Sequence, residues 1–252
     1  MAAEADATAQ PQEEGPFQTE RVVSISGAHA VHDTYTSFLP PLLPVFFETL
    51  SLTITQAGFL TVFMQAPSLL QPMIGHLADR LSLRYFVILA PGVTATAMSL
   101  MGIAPSYAVL VVLLVVAGLS SASLHAVAPV MSGRLSGKNL GRGMGFWMVG
   151  GEVGRTLGPL VIVAAIQYFG LASTPWLMLG GWMASAILYV RLRDVPGRPA
   201  YAVDGLPWRE ALGAMGPFLV PLVGIVTVRS FMITALTTYL PVLLTEQGAS
   251  LW

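Results

Sequence analysis

Seven times between residues 22 and 245 the chain runs apolar for long enough to cross a lipid bilayer, whose hydrocarbon core needs about 20 helical residues. The runs cover 22–47, 56–77, 83–104, 106–132, 142–169, 173–192 and 214–245. Hydrocarbon offers no partner to a backbone N–H or C=O, so segments of this length must satisfy those groups internally, as α-helices. Composition agrees: 10% of the residues are charged, against roughly a quarter in an ordinary soluble domain. The expected fold class is an all-α membrane protein with seven transmembrane helices.

The ends and joints of these spans organise the chain. Residues 1–20 carry Glu4, Asp6, Glu13, Glu14 and Glu20 and no basic residue. A secretory signal begins positively charged, so a disordered acidic tail is expected here. One joint is long: residues 193–213 mix charges with proline and glycine and read as a linker between six spans and a seventh. Orientation follows from the basic residues, because short loops rich in Lys and Arg stay cytoplasmic. Ten of the twelve lie just before span 1 or at the joints that follow spans 2, 4 and 6, including the span residues that border them: Arg21, Arg80, Arg84, Arg134, Lys138, Arg142, Arg191, Arg193, Arg198 and Arg209. The expectation is a multi-pass protein of the inner (plasma) membrane with its N-terminus and the 193–213 linker in the cytoplasm.

An internal repeat divides the chain further. "TSFLPPLL" (36–43) and "TTYLPVLL" (237–244) align with Phe38 on Tyr239 and Pro40 on Pro241, so span 7 restarts span 1. Repeated helical units with a substrate site between them are a common plan of secondary transporters. The domains expected are therefore a six-helix unit over 21–192, the linker, and the first helix of a second unit over 214–252.

Two motifs carry a resemblance. "GHLADRLSLR" supplies Gly75, Asp79, Arg80 and Arg84, and resembles the G-x-x-x-D-R-x-x-x-R loop signature of the major facilitator superfamily. "GRTLGP", with Gly154, Gly158 and Pro159, resembles that superfamily's glycine-proline signature in its fifth helix. More closely, "HAVHDTYTSFLPPLLP", "SLLQPMIGHLADR" and "VGGEVGRTLGPL" are similar to segments of the fosmidomycin-resistance subfamily of drug/proton antiporters. The sequence departs from that subfamily at "LHAVAP" (124–129), where His-Pro-Glu is typical, and at Glu152, where asparagine is typical. The resemblance implies half of a twelve-helix fold plus helix 7, and a conformational role for Gly75, Asp79, Arg80 and Arg84 against a helix of a second half. A C-terminal half is thus expected as a partner, without which the chain is expected not to transport.

Ionisable groups inside spans point to where a substrate or coupling ion would sit, since such groups usually face a bundle interior or a water-filled cavity. Gly150, Gly154 and Gly158 recur every four residues and form one packing stripe, while Glu152 and Arg155 point away from it. His29 and Asp33, four apart, share a face of span 1 that Ser37 continues; Asp33 is the leading candidate proton carrier. His32 is turned off that face and is not expected to take part. His125, with Ser121, is placed on the same cavity from span 4, and Arg229 in span 7 is a candidate bidentate anion ligand. Gln65, Gln71 and Trp147 are further candidate lining. Asp33, Glu152, Arg155 and Arg229 sum to zero charge, which suggests mutual neutralisation.

Other classes fit poorly. A retinal protein needs an intramembrane lysine, yet Lys138 is the one lysine and lies in a loop. The histidines and acids at depth are few and one has an arginine neighbour, which argues against a metalloenzyme. No glycine-rich phosphate loop, catalytic triad or basic aromatic surface is present, so no enzymatic activity, cofactor, metal or nucleic-acid partner is expected. The reading is a secondary transporter in membrane lipid, using protons as coupling ion to export a small molecule, a drug or organic anion. An uptake carrier and a non-transporting fragment are the alternatives.

Overall fold

The structure, a computed structural model, describes residues 15–80, 84–195 and 208–249. Among these residues the secondary structure is helical throughout: α1 (Thr19–Thr36), α2 (Leu39–Leu50), α3 (Ile54–Gln65), α4 (Gln71–Arg80), α5 (Arg84–Leu100), α6 (Tyr107–Leu135), α7 (Leu140–Phe169), α8 (Met178–Leu192) and α9 (Trp208–Glu246). Short 3-10 segments at Ala66–Leu70, Met101–Ile103, Gly137–Asn139 and Leu171–Leu177 join several of them. Among the described residues five helices are long and apolar enough to cross a membrane, the segments Arg84–Ile103, Tyr107–Leu135, Gly137–Phe169, Leu171–Leu192 and Met215–Glu246.

Spans 1 and 2 differ from the uninterrupted helices expected. Span 1 is broken at Ser37–Phe38, where Pro40 and Pro41 cannot donate to the carbonyls of Thr36 and Ser37, so α1 stops and α2 restarts with proline in its first turn. The broken end is satisfied locally: the Ser37 N–H and hydroxyl both donate to the Asp33 carbonyl, at 3.2 and 2.8 Å. Span 2 tightens to a 3-10 segment at Ala66–Leu70, around Pro67. Between them, α2 ends at Ser51 in the left-handed region (φ 52°), and Thr53 with Gln56 forms a capping box that starts α3.

Two expected boundaries move. The linker proposed for 193–213 loses its last six residues to α9, which begins at Trp208; residues 196–207 lie outside the described residues. The proposed tail 1–20 ends earlier, because Thr19 and Glu20 already belong to α1 and Glu20 pairs with Arg191 in the last turn of α8. Residues 1–14 lie outside the described residues.

Small residues bring the helices together, as lipid supplies no hydrophobic drive between them. A Cβ added to Gly150, Gly154 or Gly158 of α7 would meet the carbonyl oxygens of Ser26, Ala30 and Thr34 of α1 in turn. The ascending match on both helices means that α1 and α7 run parallel, as two odd-numbered spans must. Gly92 and Gly181 likewise seat α5 against α8, and Gly118 seats α6 against Met64. Helix α9 lies along α2 and touches α3 through Thr238 and Tyr239; elsewhere its side chains are largely exposed.

The apolar interior is split. Val22, Ile25 and Ala28 of α1 join Leu124, Ala128 and Trp147 in one cluster, while Tyr35, Phe38, Leu42 and Phe46 join Met98, Leu110 and Leu114 in another. Between the two, on the same span, lie His29, His32 and Asp33.

Candidate functional site

All three of those side chains are buried: His32 is fully enclosed, His29 is 3% exposed and Asp33 5%. Four helical residues separate His29 from Asp33, which sets the His29 Nε2 to Asp33 Oδ2 distance at 3.3 Å. From α6, His125 brings its Nε2 to 3.2 Å from His29 Nε2 and 3.9 Å from Asp33 Oδ1. From α7, the Trp147 ring stacks on His29 with centroids 3.6 Å apart. Gly151 leaves the room: a Cβ there would meet His29 Cε1 at 2.6 Å.

His32, which helical position turns off this face, is nevertheless brought to Asp33. Its Nδ1 donates to Asp33 Oδ1 at 3.0 Å. A helical-wheel argument measures the direction in which a side chain leaves the helix, whereas an imidazole is long enough to turn back to the carboxylate of the next residue. Its Nε2 is buried without a hydrogen-bond partner among the described residues.

The hydrogen bonds fix which nitrogens carry protons. His29 Nδ1 donates to the Trp147 carbonyl at 2.9 Å, and His125 Nδ1 donates to the Ser121 carbonyl at 2.9 Å. A carbonyl only accepts, so both Nδ1 atoms are protonated and each neutral ring offers a lone pair at Nε2. With both rings neutral, two imidazole lone pairs and a carboxylate converge. Such a meeting of acceptors is stable only around a positive charge.

The flanking charges point the same way. Arg155 Nη2 pairs with Glu152 Oε1 at 3.1 Å, and Arg155 Nε lies 3.7 Å from Asp33 Oδ2. The Glu152 and Arg155 side chains are more than half exposed, at 63% and 52%. Arg229 is not brought to this group. It is exposed on α9, and among the described residues it makes no ion pair with either carboxylate. The zero sum expected from four charges thus does not hold locally: two carboxylates face one guanidinium, leaving one negative charge.

The remaining candidates lie elsewhere. Gln65 and Gln71 bracket the 3-10 segment of span 2. Gly75, Asp79 and Arg80 are in α4, and the side chains of the last two lie outside the described residues. Arg84 donates from Nη1 to the carbonyls of Arg193, at 2.5 Å, and Val195, at 3.2 Å, so it caps the end of α8. Pro159 follows the glycine stripe within α7. The signals for His32 and Trp147 were weak in the sequence, because both depend on which rings the tertiary fold stacks and turns.

Comparison with known proteins gives a consistent result. The family model of the Major Facilitator Superfamily matches residues 25–252. The fosmidomycin resistance protein of Escherichia coli (strain K12) is 27% identical over 166 residues, covering 66% of this chain and 41% of that protein. The uncharacterized MFS-type transporter YfnC of Bacillus subtilis (strain 168) is 25% identical over 170 residues, with the same 66% and 41% coverage. The matched region is thus less than half of either relative's length. A crystal structure of a bacterial homolog of the human lysosomal transporter Spinster, inward-facing and unoccupied, superposes with a TM-score of 0.76 at 17% identity over 94% of this chain and 57% of that one. That likeness speaks for the fold.

Proposed function

The chain belongs to the major facilitator superfamily, a family of multi-pass membrane transporters, and from that premise we propose that it is a proton-coupled exporter of a small, anionic compound. The observation that carries the coupling is the convergence of His29 Nε2, His125 Nε2 and the Asp33 carboxylate at membrane depth, with one negative charge uncompensated. A proton shared by the imidazoles and held by Asp33 neutralises the group. Its departure restores the negative charge, and that change of charge is what a coupling ion needs. Asp33, His29 and His125 are the proton site in this reading. Glu152 and Arg155, half-exposed beside it, and Arg229 on α9 are the contacts for an anionic substrate.

We further propose that the chain sits in the plasma membrane with its N-terminus in the cytoplasm, and that it works with a second six-helix half. The repeat of 36–43 at 237–244 and the open face of α9 support that half. In the same reading, Gly75, Asp79, Arg80 and Arg84 act on conformational change at the cytoplasmic face.

Fosmidomycin is the first compound to assay, given the name of the Escherichia coli relative. In inside-out vesicles, an acid interior should drive its accumulation, and collapsing the pH gradient should abolish it. Accumulation driven instead by an alkaline interior would overturn the exporter reading and favour uptake.

A further inference from the structure

We propose that His29, His125 and Asp33 form a binding site for a divalent d-block cation of the zinc, cobalt or nickel class. The proposal stands on the donor set and does not depend on proton coupling. His29 and His125 each present an Nε2 lone pair, and Asp33 a carboxylate. Two imidazoles and one carboxylate are a known donor set for such ions.

Spacing supports it. Metal–nitrogen bonds of ~2.0–2.1 Å in a tetrahedron put neighbouring ligand atoms about 3.3 Å apart. The two Nε2 atoms are 3.2 Å apart, His29 Nε2 is 3.3 Å from Asp33 Oδ2 and His125 Nε2 is 3.9 Å from Asp33 Oδ1, so a turn of the carboxylate or of the His125 ring is what brings one oxygen to both nitrogens.

The surroundings have the form that a metal's ligands usually show. A ligating histidine donates its other ring N–H to a carbonyl or carboxylate, which fixes the tautomer and aims the free nitrogen. His29 does this to Trp147 and His125 to Ser121, both at 2.9 Å. His32 donates to Asp33 Oδ1 and positions the carboxylate. Arg155 is the one opposing feature, at 3.7 Å from Asp33 Oδ2. It is engaged with Glu152 at 3.1 Å and stands beyond hydrogen-bonding distance of Asp33, whose carboxylate has lone pairs enough to accept from His32 and still ligate.

Charge then decides the fourth position. Asp33, Glu152 and Arg155 together leave one negative charge, so a divalent ion brings the group to one positive. An anion at the remaining tetrahedral position, hydroxide or an anionic substrate group, would make it neutral. The site opens on the side where His125 is a third exposed, at 32%.

The test is a cobalt titration of the purified chain, read by the visible d–d bands that tetrahedral Co(II) shows strongly and the hexa-aquo ion weakly. The wild-type protein is expected to develop the tetrahedral bands at one equivalent, and excess zinc is expected to bleach them. His125→Ala and Asp33→Asn should lose the bands, whereas His76→Ala, at the remaining histidine, should keep them. His32→Gln should bind roughly 10–100-fold more weakly, the usual cost of losing an outer-shell partner. Because the buried variants can misfold, ¹⁵N-histidine spectra of the wild type give an independent reading. Zinc should shift the Nε2 resonances of two of the four histidines and leave their Nδ1–H signals in place. No tetrahedral bands at millimolar cobalt, or bands that survive both His125→Ala and Asp33→Asn, would overturn the site. Proton coupling is judged separately, by the dependence of flux on the pH gradient.

Discussion

Asp33 accepts a hydrogen bond from His32 on its own helix, faces His29 and His125 on a second side, and lies 3.7 Å from Arg155 across the α1–α7 contact. Part of this group was legible in the sequence. Four-residue spacing gave His29 and Asp33, and three-residue spacing gave Glu152 and Arg155. What spacing could not give was which of the charges meet. Arg229 balanced the sum on paper, yet charge cancels only across a few ångströms, and α9 leaves that residue exposed. Arg155 therefore serves two carboxylates. Removing it leaves both unmatched, while removing Glu152 as well leaves one. Arg155→Met is expected to lower the melting temperature in detergent more than Glu152→Gln combined with Arg155→Met. Additive effects would show that the residues serve separate partners.

Between elements, the contact that positions the site is α1 on α7. The glycine stripe was visible as a four-residue period, but its partner face was not, because the carbonyls of Ser26, Ala30 and Thr34 carry no side-chain signal. Substitution separates packing from propensity here. Gly154→Ala puts a methyl group against the Ala30 carbonyl and Asp33 Cβ, and is expected to cost ~1–3 kcal/mol, the usual effect of overpacking. Gly145→Ala, on the same helix with nothing within 4 Å, is expected to gain about 0.5–1 kcal/mol from the lost flexibility of glycine. Thermal melts of the two variants should move in opposite directions. Two destabilised variants would mean that the helix, rather than the interface, resists the change. Breaks in spans 1 and 2 were signalled by Pro40, Pro41 and Pro67. Hydropathy overrode them, since it averages over a window and does not see a missing donor.

For the whole molecule, hydropathy and repeat indicated an all-α membrane protein of repeated helical units, because both are properties of long segments that tertiary packing does not alter, while the loop and glycine-proline motifs carried the resemblance to the family. Topology is the prediction that belongs at this scale. Cysteines placed at Lys138 and Thr49, both exposed, should react with an impermeant reagent from opposite sides of the membrane. Labelling of both from outside would contradict the cytoplasmic N-terminus. The central claim, that the buried acid between the two apolar clusters couples protons to transport, is tested most directly by reconstituting the chain together with the second six-helix half proposed for it. The comparison is between exchange of whichever compound the vesicle assay finds transported, at equal pH, and its net movement driven by an imposed pH gradient. Asp33→Asn is predicted to retain exchange and lose gradient-driven movement, while Glu152→Gln keeps both. Full gradient dependence in Asp33→Asn, with its loss in Glu152→Gln, would contradict the account.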